Sequence, residues 1–145
     1  MVEFMAIQQR GFHNTCDKEG NLDGFEFRFV PVYYKGLWFT QCRFGNLVVD
    51  GEVYDRDDLL YEYEGIEYTR EELFDLKIYW QFREPITIKV KKPGGLSIGY
   101  HDVRLQFGWV LNYNGELEKE FDGSGLGNSS FLFDPNYERR MLLCR

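Results

Sequence analysis

Histidine and cysteine are scarce in this 145-residue chain, and the scarcity narrows its chemistry. The two histidines, His13 and His101, stand far apart and form no local pair such as His-x-x-x-His. A catalytic zinc site takes three protein ligands, commonly several of them histidine, so these two supply at most part of one. His101 reads as a structural ring, and His13 as a solvent-facing or loop-fixing side chain. Cys16, Cys42 and Cys144 are odd in number, irregularly spaced and without a Cys-x-x-Cys pair. Free thiols in a cytosolic protein are the plain reading. No stretch reaches the roughly 18 consecutive apolar residues of a membrane span. Met1-Val2-Glu3-Phe4 lacks a basic stretch followed by an apolar core, which predicts no secretory signal and a cytoplasmic location. No Gly-x-Gly-x-x-Gly opens a helix and no Gly-Lys-Ser/Thr follows a glycine-rich loop, so nucleotide motifs are missing. Ser124, Ser129 and Ser130 have no histidine nearby, which leaves nucleophilic catalysis without support. Positive charge is also in deficit: the net charge is −7, and such a field repels a phosphate backbone.

What the chain has in excess is aromatic side chains, at 18% of residues. They favour strands and dominate cores and interfaces, and this much ring area suggests that some of it meets another surface. Alternation with a period of two is the main pattern. In residues 24–32 (GFEFRFVPV), Phe25, Phe27 and Phe29 share one face, and Pro31 argues for an edge or bulge. Residues 37–50 (LWFTQCRFGNLVVD) read as a second long strand with a bulge at Gly45, closed by the tight-turn dipeptide Asp50-Gly51. Ile86, Ile88 and Val90 alternate with Thr87, Lys89 and Lys91 before Pro93-Gly94-Gly95. His101, Val103, Leu105, Phe107 and Trp109 then form a further inward face, and residues 137–145 supply a candidate final strand. One segment looks helical: Thr69, with Glu72 three residues on, has capping-box spacing and predicts a short helical turn from about Thr69 to Phe74.

Acidic residues crowd into residues 55–75. Asp55, Asp57 and Asp58 lack the glycine and later glutamate of a calcium loop, and a carboxylate pair is not specific to a glycosidase. A solvated face partly neutralised by Arg56 and Arg70 accounts for them. Residues 112–136, rich in Gly, Asn and Ser, read as a loop or as an extension that wraps a partner.

Seven or more short strands with scarcely any helix predict an all-β, antiparallel β-sandwich spanning residues 1–145 as a single domain. The corner Leu96-Ser97-Ile98-Gly99-Tyr100-His101-Asp102-Val103 resembles that of immunoglobulin-like and fibronectin-like sandwiches. There a leucine docks in the core and a ring bonds back to the loop backbone. Tyr100 or His101 would be that ring. Residues 32–39 (VYYKGLWF) surround a Lys-Gly turn with bulky side chains. Ordinary hairpin packing is one reading. The other is a projecting aromatic edge, with Tyr33, Tyr34, Trp38 and Phe39 docking into another protein.

In order and spacing, Gly11-Phe12-His13-Asn14, Gly24-Phe25-Glu26-Phe27-Arg28, Tyr33-Tyr34-Lys35-Gly36, Val49-Asp50-Gly51-Glu52, Pro93-Gly94-Gly95-Leu96 and Gly99-Tyr100-His101-Asp102-Val103 resemble the small β subunit of bacterial C-glycoside deglycosidases. The resemblance runs from about Gly11 to Leu111. It implies a heteromeric carbon–carbon lyase whose larger α subunit, a TIM barrel, holds a divalent metal, manganese, and the catalytic base. That enzyme cleaves the bond between a 3-oxo sugar and a flavonoid-type aglycone. A carbonyl acidifies the neighbouring carbon and a metal stabilises the enolate. No catalytic, cofactor-binding or metal-binding residue carries over to this chain. A free-standing carbohydrate-binding or immunoglobulin-like module, with Trp38, Trp80 or Trp109 stacking on sugar rings, is the alternative.

Overall fold

The alternating phenylalanines of residues 24–32 sit at the centre of the molecule: Phe25, Phe27 and Phe29 are fully buried, with Arg28 facing outward. The computed structural model describes residues 3–109 and 137–144, so the expected loop or extension at 112–136 lies outside the described residues. In chain order the strands are β1 (Ile7–Cys16), β2 (Leu22–Phe29), β3 (Leu37–Trp38), β4 (Cys42–Val49), β5 (Glu52–Tyr54), β6 (Leu59–Tyr63) and β7 (Ile66–Tyr68). After the short helix α1 (Arg70–Phe74) come β8 (Tyr79–Trp80), β9 (Ile86–Lys91), β10 (Gly99–Trp109) and β11 (Glu138–Leu143).

These strands build the expected all-β sandwich. One antiparallel sheet runs β1-β2-β9-β6-β7 and the other β11-β10-β4-β5, with a two-stranded β3-β8 ribbon beside them. Rings from both sheets interlock between the layers. Phe29 of β2 lies 6.1 Å from Phe44 of β4 and 5.0 Å from Phe107 of β10, and Phe44 lies 4.7 Å from Tyr61 of β6. Such edge and tilted contacts add to the area that each ring removes from water. At one edge the sheets are stitched by a side chain. The Gln9 amide donates to the Leu142 carbonyl (2.7 Å) and accepts from the Leu142 N–H (2.9 Å), imitating a strand partner for β11.

Local signals hold where the backbone obeys them. Asp50 and Gly51 both have positive φ, 50° and 83°, the tight hairpin turn that joins β4 to β5. The bulge falls at Gly45: between the pairs Phe44–Phe107 and Leu47–Leu105, the two β4 residues Gly45 and Asn46 oppose the single β10 residue Gln106. Thr69 and Glu72 form a reciprocal capping box at α1, and the Phe74 ring lies 4.5 Å under the buried Arg43 guanidinium, pinning the helix to β4.

Two expectations fail. Residues 37–50 are not one strand, because the Gln41 side chain takes the Trp38 N–H (3.0 Å) and a 3₁₀ turn at Phe39–Gln41 separates β3 from β4. Nor do β2 and β3 form a hairpin around Lys35-Gly36. β2 pairs with β1 and β9, while β3 pairs with β8, so residues 30–36 carry the chain away from β2 to another ribbon.

Candidate functional site

The register places several strand ends at one end of the sandwich. Ile7, Phe29 and Ile86 are aligned across β1, β2 and β9, and Trp109 faces Cys42 across β10 and β4. The connecting segments there carry the aromatic run 33–39. The Val30 N–H donates to the Ala6 carbonyl and the Val32 N–H to the Tyr137 hydroxyl, fixing the path out of β2. Gly36 then lies flat against the β8 backbone at Trp80. A Cβ at Gly36 would meet the Trp80 carbonyl and fall 2.6 Å from the Tyr79 ring, so no larger residue fits.

The four aromatic candidates separate by direction. Tyr34 projects into solvent at 74% exposure, with the Lys35 ammonium 5.6 Å above its ring. Trp38 is 38% exposed and meets Tyr79 edge to face at 5.4 Å. Tyr33 is half-buried between Tyr34 and Trp109, at 4.6 and 4.8 Å. Phe39 does not belong with them. It is fully buried, stacked on Trp80 at 5.1 Å and 9°, and 5.0 Å from Tyr63. The 3₁₀ turn rotates it away from the strand alternation and into the core, so it is a packing residue in the free chain. Trp80, a candidate sugar-stacking ring, is likewise buried, with its indole N–H on the Glu84 carbonyl.

Sequence reading missed other members of this surface. Ile78, Phe82, Phe4 and Met5 are exposed on neighbouring segments at the same end. Their only signal was hydrophobicity outside any alternating run.

The opposite end is polar and internally satisfied. Of the two candidate rings at the corner, His101 is the one that bonds back. Its Nε2 lies 2.6 Å from the Ser97 carbonyl and its Nδ1 2.5 Å from the Asp50 carboxylate, whereas Tyr100 is exposed beneath Arg140. Both ring nitrogens face acceptors, so the doubly protonated imidazolium satisfies both contacts. Burial opposes that charge, but the Asp50 and Ser97 hydrogen bonds outweigh it and hold the His101 pKa above the ordinary histidine value. Asp50 responds in the opposite sense. Burial pushes it up, and His101 together with the Asp102 N–H more than offsets that and brings it below the usual carboxylate range. Leu96 is buried, and the Asn14 side chain bonds both its N–H and its carbonyl at 2.9 Å. Phe12 meets the His101 ring edge-on at 6.3 Å, so His13, the next residue on β1, faces the other side, where it sits 3.5 Å from Glu26.

Several carboxylates of the acidic run serve local structure. Asp55 caps a 3₁₀ turn, Asp57 pairs with Arg70 at 2.8 Å, and Glu62 and Glu67 both reach Lys89 (2.7 and 2.8 Å). Among the described residues no three His, Cys, Asp or Glu side chains gather as a metal set, and no helix is long and apolar enough to cross a membrane. The three cysteines are free; Cys42 is buried, which pushes its thiol pKa far up and makes it inert.

Two comparisons bear on this geometry. A family model described as "C-glycoside deglycosidase beta subunit" matches residues 2–113. A protein of Eubacterium cellulosolvens (strain ATCC 43171 / JCM 9499 / 6), named "C-glycoside deglycosidase beta subunit", is 34% identical over 148 residues, covering 98% of this chain and 99% of that protein. The second match extends through the C-terminal region that the first leaves uncovered.

Proposed function

Since the chain belongs to the C-glycoside deglycosidase beta subunit family, we propose that it is the non-catalytic half of a cytoplasmic heteromer whose α subunit, a TIM barrel, performs the carbon–carbon cleavage. The substrate in this reading is a C-glycoside oxidised at the sugar 3-position and bearing a flavonoid-type aromatic aglycone. The divalent metal, manganese, belongs to the α subunit. The donor set for such an ion is not assembled among the described residues of this chain, where Asp55 caps a turn and Asp57 pairs with Arg70. What a metal supplies to this reaction is stabilisation of the enolate that forms next to the 3-oxo group.

The observation that carries the subunit reading is the aromatic end. Tyr34 and Trp38 project outward at the end of the sandwich that also exposes Ile78, Phe82 and Phe4, and exposed apolar area of this kind is what partner contacts bury. Burying one such ring contributes on the order of 2–3 kcal/mol before ordering costs.

The test is reconstitution. The isolated chain should bind no stoichiometric metal and leave a 3-oxo-C-glycoside intact, while the chain combined with its α subunit turns it over. Turnover by the chain alone would overturn the proposal. So would a stable monomer that ignores the α subunit and binds free sugar, which would identify a carbohydrate-binding module.

A further inference from the structure

Beside the aromatic end, on the outer face of the five-stranded sheet, is a groove of about 510 Å³ lined by Arg10, Arg28 and Arg83 with Gln8, Gln9 and Pro85. Three arginines in one groove stand out in a chain of net charge −7. Glu3 also borders the groove, but its carboxylate is committed. It accepts from the Gln9 and Arg10 backbone N–H groups (2.9 and 2.8 Å) and from Arg139 at 2.8 Å. Burial would raise the Glu3 pKa, and these donors outweigh it, so its charge stays in place and paired with Arg139. Among the described residues, neither Arg10 nor Arg28 has a carboxylate partner.

The fold holds these side chains in position. Between Gln8 and His13, β1 advances five residues while β2 advances two, from Arg28 to Glu26, so β1 bulges there. Gly11 lies within that bulge at φ 87°. A Cβ there would fall 2.9 Å from the Arg28 Nε and 3.2 Å from its Cγ and Cδ, so the glycine leaves the space in which the Arg28 side chain lies. Arg83 occupies a left-handed backbone conformation, φ 65°, in a turn tied by Trp80 and Tyr63 to Glu84. Its guanidinium donates to the Glu3 carbonyl (2.5 Å) and stands 5.4 Å over the Phe4 ring. A non-glycine residue held at positive φ marks a position that the surrounding structure enforces.

We propose that this groove receives carboxylate side chains of the α subunit, forming a charged flank to the aromatic contact; the inference rests on the subunit reading above. Guanidinium forks match carboxylates two bonds at a time. A phosphate cradle would offer backbone amides, but here the Gln9 and Arg10 amides already serve Glu3. The groove also adjoins the exposed Phe4 and Phe82, and apolar area rimmed by arginine is the composition of a protein interface.

The experiment compares the intact chain with an Arg10→Gln/Arg28→Gln double variant for affinity to the α subunit at low and high salt. The double variant should bind about tenfold more weakly at low salt, with the gap closing at high salt. Its melting temperature should be unchanged, because both side chains are exposed. Arg10→Gln alone, which leaves Arg28 over Gly11, should move binding in the same direction. Equal affinity and equal salt dependence would overturn the proposal, as would saturable binding of inorganic phosphate in the groove without effect on assembly. If the unaltered chain itself ignores the α subunit, the subunit reading fails and this inference falls with it. That result differs from a selective loss in the variants.

Discussion

The two ends of the sandwich solve opposite problems. At the corner, His101 bonds Asp50 and the Ser97 carbonyl while the Asn14 side chain bonds both backbone groups of Leu96, and together they fix the Leu96 loop without outside help. At the aromatic end, Tyr33 packs against Tyr34 and Trp109, Trp38 meets Tyr79, and Tyr34 and Trp38 leave substantial faces in water. The first arrangement stabilises a free chain. The second makes sense when another surface covers it. In the proposed heteromer, the polar corner serves folding, and the open aromatic surface serves assembly at the opposite end of one small molecule.

The sharpest way to break that division is to set a core ring against its exposed neighbour. Phe39→Ala should cost about 3–5 kcal/mol of stability, the range for buried phenylalanine, because it removes the stacking partner of Trp80. Trp38→Ala should cost about 1 kcal/mol, yet weaken assembly about tenfold to a hundredfold if it is an anchor. Melting temperature and affinity for the α subunit, measured on both variants, separate the two roles. Equal destabilisation by both would place Trp38 in the core and erase the contrast.

A smaller effect is expected at the corner. Because the His101 pKa is raised on folding, its contribution is fully present below the unfolded value of about 6.5 and is lost as pH rises through the folded value. Asp50, lowered on folding, contributes above its unfolded value of about 3.9 and loses that contribution as pH falls through the folded one. With Asp50 partly exposed, the pair is worth under about 1 kcal/mol. Denaturant midpoints should therefore decline in the parent chain as pH rises from about 6.5 through the folded His101 value, and stay flat over that window in His101→Gln. A variant with the parental slope would assign the pH dependence to other groups.

Much of this architecture was legible in the residues. The phenylalanine alternation of β2, the inward faces of β9 and β10, the Asp50-Gly51 turn, the Gly45 bulge and the Thr69 capping box all follow local rules that the fold keeps. β1 was not legible, because its bulge around Gly11 breaks the period and it lies at a sheet edge with polar residues on most positions. β6 was obscured by its charges. Leu59, Tyr61 and Tyr63 do alternate inward, but the surrounding carboxylates read as one solvated face. At the aromatic end, the error over Phe39 has one physical source. A single side chain, Gln41, captures the Trp38 N–H and turns what looked like a strand, and no alternation rule encodes that bond. Which strand pairs with which is decided by packing across the sandwich, so the β3–β8 ribbon that displays Trp38 and Tyr79 was equally hidden.

Mapping solvent protection of the chain, free and in the assembled heteromer, decides whether the aromatic end or the corner meets the α subunit. Hydroxyl-radical footprinting reads this at Tyr34, Trp38 and Phe82 on one end and at Ile98 and Tyr100 on the other, all exposed in the free chain. Assembly should protect Tyr34, Trp38 and Phe82 several-fold and leave Ile98 and Tyr100 unchanged. Protection of Ile98 and Tyr100, with Tyr34 and Trp38 as reactive as before, would contradict the aromatic-end contact.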